Sequence, residues 1–304
     1  MHDILLIYNK SAGKGRYKRS IKRIISYLNE HDFHYDIHRI EKHEVVSNTI
    51  SKIASNYKRL IVCGGDGTLH SVVNGLMLIA KNNRPDILLL PFGTANDYAK
   101  TLGMQKNVVA NLELLHGYNA FFVDVNKLND TYFIYGAAWG KFSNVSYKRL
   151  RIATKLFGVV GYIINAISDV FRTYKTEFLI KTALGEERYK GFLVMLSSGR
   201  RMAGFRLKRF TAQNKLNDGL ITVRLFTYHN IFSWFKVIFF YIFNGLPFKR
   251  DPMWRVSEIS VTPKRSKMWN VDGEKGPKGK VTIKVLPKEL SFYVNPTVSS
   301  TIFN

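Results

Sequence analysis

A short β-branched run, Ile61-Val62-Cys63, passes through Gly64-Gly65-Asp66-Gly67 straight into Thr68-Leu69-His70 and an apolar stripe at helical spacing, Leu69, Val72, Val73, Leu76 and Ile79. Strand, glycine turn and helix start in immediate succession restrict the chain to folds in which a strand ends under the N-terminus of a helix. Such a junction offers backbone N–H groups to an anion, and glycine removes the Cβ that would hold the anion off. The acid between the glycines repels phosphate, so its expected partner is a metal, a sugar hydroxyl or the loop itself. A plain Gly-Gly-Asp-Gly surface turn is the alternative. The apolar strand before it and the amphipathic helix after it argue for the functional reading.

The surrounding sequence repeats this alternation. Residues 4–8, 35–40, 60–63 and 87–90 read as strands. Ile21, Ile24, Ile25 and Leu28 form a helical stripe, 45–54 a weaker helix, and 112–115 the end of another, with Gly117 as its C-cap. Strands alternating with helices predict a parallel sheet covered on both faces, with sites beyond the carboxyl ends of its strands. After Phe121 short strands take over, at 121–125, 132–137, 178–181, 192–197, 221–226, 256–261, 281–285 and 290–294, with turns at Asn217-Asp218-Gly219 and Val271-Asp272-Gly273. Helical insertions are expected at 156–171 and 231–243. The predicted fold class is α/β plus β. An N-terminal parallel-sheet nucleotide-binding domain spans 1–125. A C-terminal, mainly antiparallel β-sandwich domain spans 126–304, with a last strand able to pack back on the first domain.

The 304 residues, 46% of them apolar, suffice for a sizeable core, and the single cysteine, Cys63, excludes an intrachain disulfide. Cys63 sits where a small apolar core residue belongs. The start, Met1-His2-Asp3, lacks the basic and apolar regions of a secretory signal, and no apolar run is long and clean enough to span a bilayer. A reducing, cytoplasmic setting is expected. The charge of +24, from 46 basic and 22 acidic residues, calls for an anionic partner, nucleic acid or membrane. A merely basic soluble protein is the bland alternative.

Three further segments carry chemistry. Asn9-Lys10-Ser11-Ala12-Gly13-Lys14-Gly15 follows the first strand and combines lysines with glycines, although it lacks the register of a Walker A loop. In Gly93-Thr94-Ala95-Asn96-Asp97, Thr94 and Asn96 can hydrogen-bond, and Asp97 can cap a helix. Asp272-Gly273-Glu274 places two carboxylates around a glycine. Phosphoryl transfer to an alcohol needs a carboxylate to accept the hydroxyl proton and a metal to neutralise phosphate charge. Asp-Gly is also a favoured hairpin turn.

Taken in order, Gly64-Gly65-Asp66-Gly67-Thr68 with Asn74-Gly75, Pro91-Phe92-Gly93-Thr94-Ala95-Asn96-Asp97 and Val271-Asp272-Gly273-Glu274 resemble the diacylglycerol kinase catalytic family of bacterial soluble lipid kinases and sphingosine and ceramide kinases. The resemblance covers essentially the whole chain. It implies an ATP-dependent, magnesium-using lipid kinase. ATP would contact Asn9, Lys10, Ser11, Ala12 and Gly13, then Gly64, Gly65, Asp66, Gly67, Thr68, Leu69 and His70, and Thr94. Glu274 would accept the proton, with Asp272 and Asp66 as competing candidates. Lys215 and Leu220, through carbonyls, and Asp218, through its carboxylate, match the family's structural magnesium site, with Asp124 in its network. Two departures stand out: Lys10 replaces the usual proline, and no family-type threonine is evident around Arg39–Val45.

The implied acceptor is a glycerol-type or long-chain alcohol from a bilayer, its tails lying between the domains, with aromatic and aliphatic residues of the two insertions expected either to form that slot or to dip into the membrane interface. Lys148, Arg149, Arg151, Lys155, Arg200, Arg201, Arg206, Lys208 and Arg209 would draw the protein to anionic lipid at the inner membrane surface, each by about 1 kcal/mol. The rival readings are an NAD kinase-like enzyme, whose later Asn-Glu pair is missing here, and a catalytically silent basic protein bound to membrane or nucleic acid. No RNA-binding motif supports the last of these.

Overall fold

The structure, a computed structural model, describes residues 2–9, 17–117, 120–140 and 175–304. Strands β1 (His2–Asn9), β2 (Tyr35–Ile40), β3 (Tyr57–Gly64) and β4 (Asp86–Pro91) run parallel in the order β4-β3-β1-β2. Ile4, Leu6, Leu60, Ile61, Val62, Ile87 and Leu88 are fully buried, which is why these strands read as unbroken apolar runs rather than as alternating ones. Cys63 lies among them, and burial alone pushes its thiol well above the ordinary range, as a core residue requires.

Helices α1 (Tyr17–Glu30), α2 (Val46–Ile53), α3 (Asp66–Leu76), α4 (Asp97–Thr101) and α5 (Val108–Leu112) accompany these strands. Helix α1 turns Ile21, Ile24, Tyr27 and Leu28 inward and leaves Lys22 and Arg23 exposed. Each buried aliphatic side chain contributes about 1.5–3 kcal/mol relative to exposure. Helix α3 buries Leu69, Val72, Val73 and Leu76 in the same way and lies against α2. A Cβ on Gly75 would come within 2.6 Å of the Ser47 carbonyl oxygen, so only glycine allows this approach. The chain leaves α5 through a 3₁₀ turn ending at Gly117. Gly117 is extended (φ −125°, ψ 167°), so the left-handed C-cap expected there is not formed.

The remaining strands are β5 (Ala120–Leu128), β6 (Thr131–Phe133), β7 (Gly136–Gly140), β8 (Thr176–Thr182), β9 (Gly185–Ser197), β10 (Arg201–Met202), β11 (Phe205–Arg206) and β12 (Ile221–Thr227). After helix α6 (Phe235–Ile242) come β13 (Met253–Val256), β14 (Glu258–Pro263), β15 (Met268–Val271), β16 (Glu274–Lys278) and β17 (Val281–Tyr293), and α7 (Pro296–Ile302) closes the chain. Apart from the β10–β11 hairpin, all the described strands join one hydrogen-bonded network, parallel in its N-terminal part and antiparallel in its C-terminal part. The fold is therefore a mixed α/β sheet.

Strand β17 links the two parts. It was expected as two strands, but it is one, pairing antiparallel with β14 and β5 and placing Phe292 beside Ile87 of parallel β4. The register shift between Leu286 and Leu290, with Lys288 at φ 54°, is the interruption that reads as a break in the sequence. Beyond β17, Ile302 and Phe303 return to the N-terminal core, where Phe303 stacks on Phe121 at 4.9 Å. The insertion expected at 231–243 is helical, a 3₁₀ turn (Ile231–Trp234) running into α6. The insertion expected at 156–171 lies outside the described residues. No helix of the described residues is long and apolar enough to cross a membrane.

Candidate active site

The glycine turn forms where β3 ends. Gly65 is extended and precedes α3, whose first turn closes by the Leu69 N–H donating to the Gly65 carbonyl at 3.0 Å. The loop after β4 folds against it. The Phe92 N–H donates to the Gly64 carbonyl at 2.9 Å, and a Cβ on Gly93 would stand 2.5 Å from the Gly65 Cα. The two glycine loops touch backbone to backbone, which no larger residue permits. Asn96 holds this geometry from a left-handed conformation (φ 49°) that asparagine tolerates. Its amide accepts from the Gly93 N–H at 2.8 Å and donates to the Gly93 carbonyl at 2.9 Å.

Of the residues expected at the nucleotide, Gly64, Gly65, Asp66, Gly67, Thr68 and His70 share this corner, and Thr94 is exposed in the adjoining loop. Asn9 ends β1 next to Tyr8, which pairs with Cys63, so it reaches the same edge of the sheet. Leu69 is fully buried in the core, so its side chain serves packing. Lys10, Ser11, Ala12 and Gly13 lie outside the described residues.

The second half of the site comes from the β15–β16 hairpin. Asp272 (φ 49°) and Gly273 (φ 90°) both take positive φ, as a two-residue type I′ turn requires. The Asp272 carboxylate is buried and accepts from the N–H groups of Ile134 (2.8 Å), Tyr135 (3.1 Å) and Gly136 (3.0 Å). The Tyr135 hydroxyl donates to the Asp272 carbonyl at 3.0 Å. His70 Nδ1 approaches the carboxylate at 3.5 Å. These bonds make Asp272 an anchor. They also account for a departure from expectation: the run 132–137 is not one strand, because the N–H groups between β6 and β7 turn to this side chain.

Glu274, one residue past the turn, is exposed and stands over the first turn of α3: a Cβ on Gly67 would lie 2.5 Å from Glu274 Oε1. Helix α3 is fastened here by Asn74, whose amide donates to the Tyr132 carbonyl at 2.9 Å and accepts from the Tyr132 N–H at 3.0 Å, as a strand partner would. Glycine turn, helix N-terminus and the exposed Glu274 carboxylate thus face one another.

Burial, then the charges of Asp97 and Asp272, raise Asp66 to about 6. Asp97 is fully buried and its carboxyl is also raised, chiefly by burial. The Gly204 N–H at 2.7 Å and Arg201 at 3.5 Å act against that shift. Sequence reasoning treated Arg201 as a surface charge, but it belongs to this cluster, brought there by the β10–β11 hairpin. Arg200 likewise donates to the Thr301 carbonyl rather than standing free. Tyr98 was missed altogether. Its fully buried hydroxyl finds no partner among the described residues, and burial with the charges of Asp272 and Asp124 raises it well above the usual range.

Residues 3–127 match the diacylglycerol kinase catalytic domain. A diacylglycerol kinase of Staphylococcus saprophyticus is 28% identical over 278 residues, 90% of this chain and 89% of that one. A diacylglycerol kinase of Staphylococcus aureus is 29% identical over 219 residues, 72% of this chain and 68% of that one. The chain is thus similar to the diacylglycerol kinase catalytic family, whose domain match lies in residues 3–127. Two crystal structures from Bacillus anthracis carry the same fold, each over 98% of both chains: one at 25% identity with a TM-score of 0.82, and a diacylglycerol kinase at 23% with a TM-score of 0.80.

The magnesium loop expected at Lys215, Asp218 and Leu220 is closed by its own hydrogen bonds. Asp218 accepts from the Lys215 N–H (2.8 Å) and the Leu220 N–H (2.9 Å), and Arg255 donates to its Oδ2 at 2.6 Å. Asp124 accepts from the Gly219 N–H at 2.6 Å and the Lys288 N–H at 2.9 Å, tying the loop to β17. A cation therefore already pairs with Asp218, and the residues as arranged do not fit a metal ion without displacing Arg255. The glycine corner differs. Among the described residues Arg201 and Lys100 act on Asp97, and the backbone of the corner suits a nucleotide phosphate accompanied by a divalent cation.

Proposed function

We propose that this chain is an ATP-dependent lipid kinase that phosphorylates the hydroxyl of a membrane lipid, with diacylglycerol as acceptor and phosphatidic acid as product. The observation that carries the reading is the placement of the exposed Glu274 carboxylate over the glycine turn at the N-terminus of α3. The family likeness and the named relatives support the same reaction class.

The N–H groups of the Gly64–Gly67 turn and the start of α3, with Asn9 and Thr94 alongside, bind the triphosphate. Magnesium, when bound with the nucleotide, neutralises phosphate charge, and Asp66 is the carboxylate at the turn able to hold it. Glu274 takes the acceptor's hydroxyl proton as that oxygen bonds to the γ-phosphorus and the bond to the departing ADP oxygen breaks. Asp272 cannot share this role, because three backbone N–H groups occupy its carboxylate. It positions the hairpin that presents Glu274. Such an enzyme works in the cytoplasm, peripheral to the inner membrane surface where its acceptor lies.

Incubation with γ-labelled ATP, magnesium and a total lipid extract tests the reading. Labelled phosphatidic acid is the expected product. Label confined to NADP, or the absence of labelled lipid together with salt-sensitive RNA binding, would overturn it.

A further inference from the structure

Helix α6 with its preceding turn is apolar on two faces, interrupted only by Ser233 and by Lys236, which pairs with buried Asp251. Ser233, Val237 and Phe240 point inward, where Phe240 packs edge-on against Phe210 and Phe226 at 5.4 and 5.2 Å. Phe232, Phe235, Phe239, Ile242 and Phe243 recur at spacings of three, four and one along the opposite side, and each is 38–67% exposed. A helix apolar on two faces belongs in a core or against an apolar partner, and clustered exposed aromatics mark a docking surface.

The surroundings of this face indicate the partner. Between Gly199 and Thr211, and again between Tyr228 and Arg250, the chain has no Asp or Glu. Both stretches meet at α6: Phe205 lies 5.0 Å from Tyr241, and the Arg209 N–H donates to the Asn244 carbonyl at 2.9 Å. Arg206, Lys208, Arg209, Lys249 and Arg250 are exposed around it. The nearby acid, Asp251, is buried and paired with Lys236 at 2.7 Å. Apolar aromatics rimmed by unopposed cations match an anionic bilayer surface, where rings enter the headgroup boundary and cations meet lipid phosphate. The face is also tied to the candidate site. The β10–β11 hairpin that packs on α6 is the one whose Gly204 and Arg201 hold Asp97.

We infer that the exposed aromatic face of α6 is the surface by which this protein docks on anionic membrane, seating the active-site mouth at the lipid. The inference rests on the lipid-kinase reading for its purpose, but its test does not. Full-length protein is sedimented with phosphatidylcholine vesicles with and without phosphatidylglycerol. Binding is expected only with the anionic lipid. Phe235→Ser combined with Phe239→Ser should weaken binding by about tenfold or more. Lys22→Glu with Arg23→Glu removes charge from the distant helix α1 and should weaken it far less. In detergent micelles, where no docking is needed, the Phe variant should keep its lipid phosphorylation. Failure of wild-type protein to phosphorylate any lipid in micelles would count against the kinase reading alone. Unchanged vesicle binding by the Phe variant overturns the inference, as does equal weakening by the α1 variant. So does a wild-type dimer that the Phe variant dissolves while vesicle binding persists.

Discussion

Two groups of carboxylates lie in this chain, and their surroundings differ. At the glycine corner, Asp66, Asp97 and Asp272 crowd together at low exposure, and Asp66 rises to about 6 because burial and its neighbours' charges oppose ionisation. At the Lys215–Leu220 loop, Asp218 and Asp124 are met by backbone N–H groups and Arg255. In the second group Arg255 pairs with Asp218, and the Lys288 and Gly219 N–H groups partly offset the burial that raises Asp124. In the first, backbone N–H groups hold Asp272, and the Gly204 N–H and Arg201 hold Asp97. Asp66, however, has no paired cation among the described residues, and such a carboxylate beside a helix N-terminus is what a phosphate-bearing ligand with its metal would complete. The contrast between Asp66 and Asp218 supports the proposal that chemistry belongs to the glycine corner and that the Lys215–Leu220 loop ties the structure together.

Glu274→Gln, at the glycine corner, gives the largest expected effect: a fall in kcat of roughly a thousandfold in a labelled-ATP lipid assay, with an unchanged unfolding curve, since the side chain is exposed. Asp272→Ala should act on stability as well. It strands three buried N–H groups, so urea denaturation should show a loss of about 3–4 kcal/mol, and Asp272→Asn a smaller one.

Asp66→Asn should do the opposite. Because the folded-state pKa of Asp66 is raised, its stabilising contribution is complete below the unfolded value and is lost as pH rises through about 6. The variant escapes that loss. It should therefore be more stable than wild type by about 2 kcal/mol well above that pH, with the difference vanishing in acid, while kinase activity falls. At the Lys215–Leu220 loop, effects should be small. Magnesium or a chelator should leave the wild-type melting temperature unmoved. Arg255→Met should lower stability by about 1 kcal/mol, and magnesium should restore it. A strong chelator effect on the wild-type fold would erase the distinction between the two groups.

Much of this was legible in the sequence because it is local. The Gly64–Gly67 turn, the apolar runs of β1, β3 and β4 and the Asp-Gly hairpin each signal their structure within a few residues. What escaped was long-range. Residues 132–137 read as one strand, since nothing nearby says that Ile134 and Tyr135 will donate to a carboxylate in the Asp272 turn. The polar Pro287-Lys288-Glu289 step hid the continuity of β17, whose bulge is stabilised by the Lys288 N–H on Asp124. Arg201 looked like one more surface cation in a basic chain, and only the folded hairpin brings it to Asp97. Arg255 sits 37 residues beyond Asp218, with no local pattern to pair them.

The meeting of Gly67 with Glu274 can be tested by itself. Gly67→Ala fits the helix backbone but places a methyl carbon only 2.5 Å from Glu274 Oε1, which must move aside. In a double-mutant cycle of lipid-kinase kcat, Gly67→Ala should cost activity in the wild-type background and almost nothing once Glu274 is glutamine. Equal costs in the two backgrounds, or full activity in Glu274→Gln, would mean that the carboxylate over the glycine turn is not where the acceptor gives up its proton.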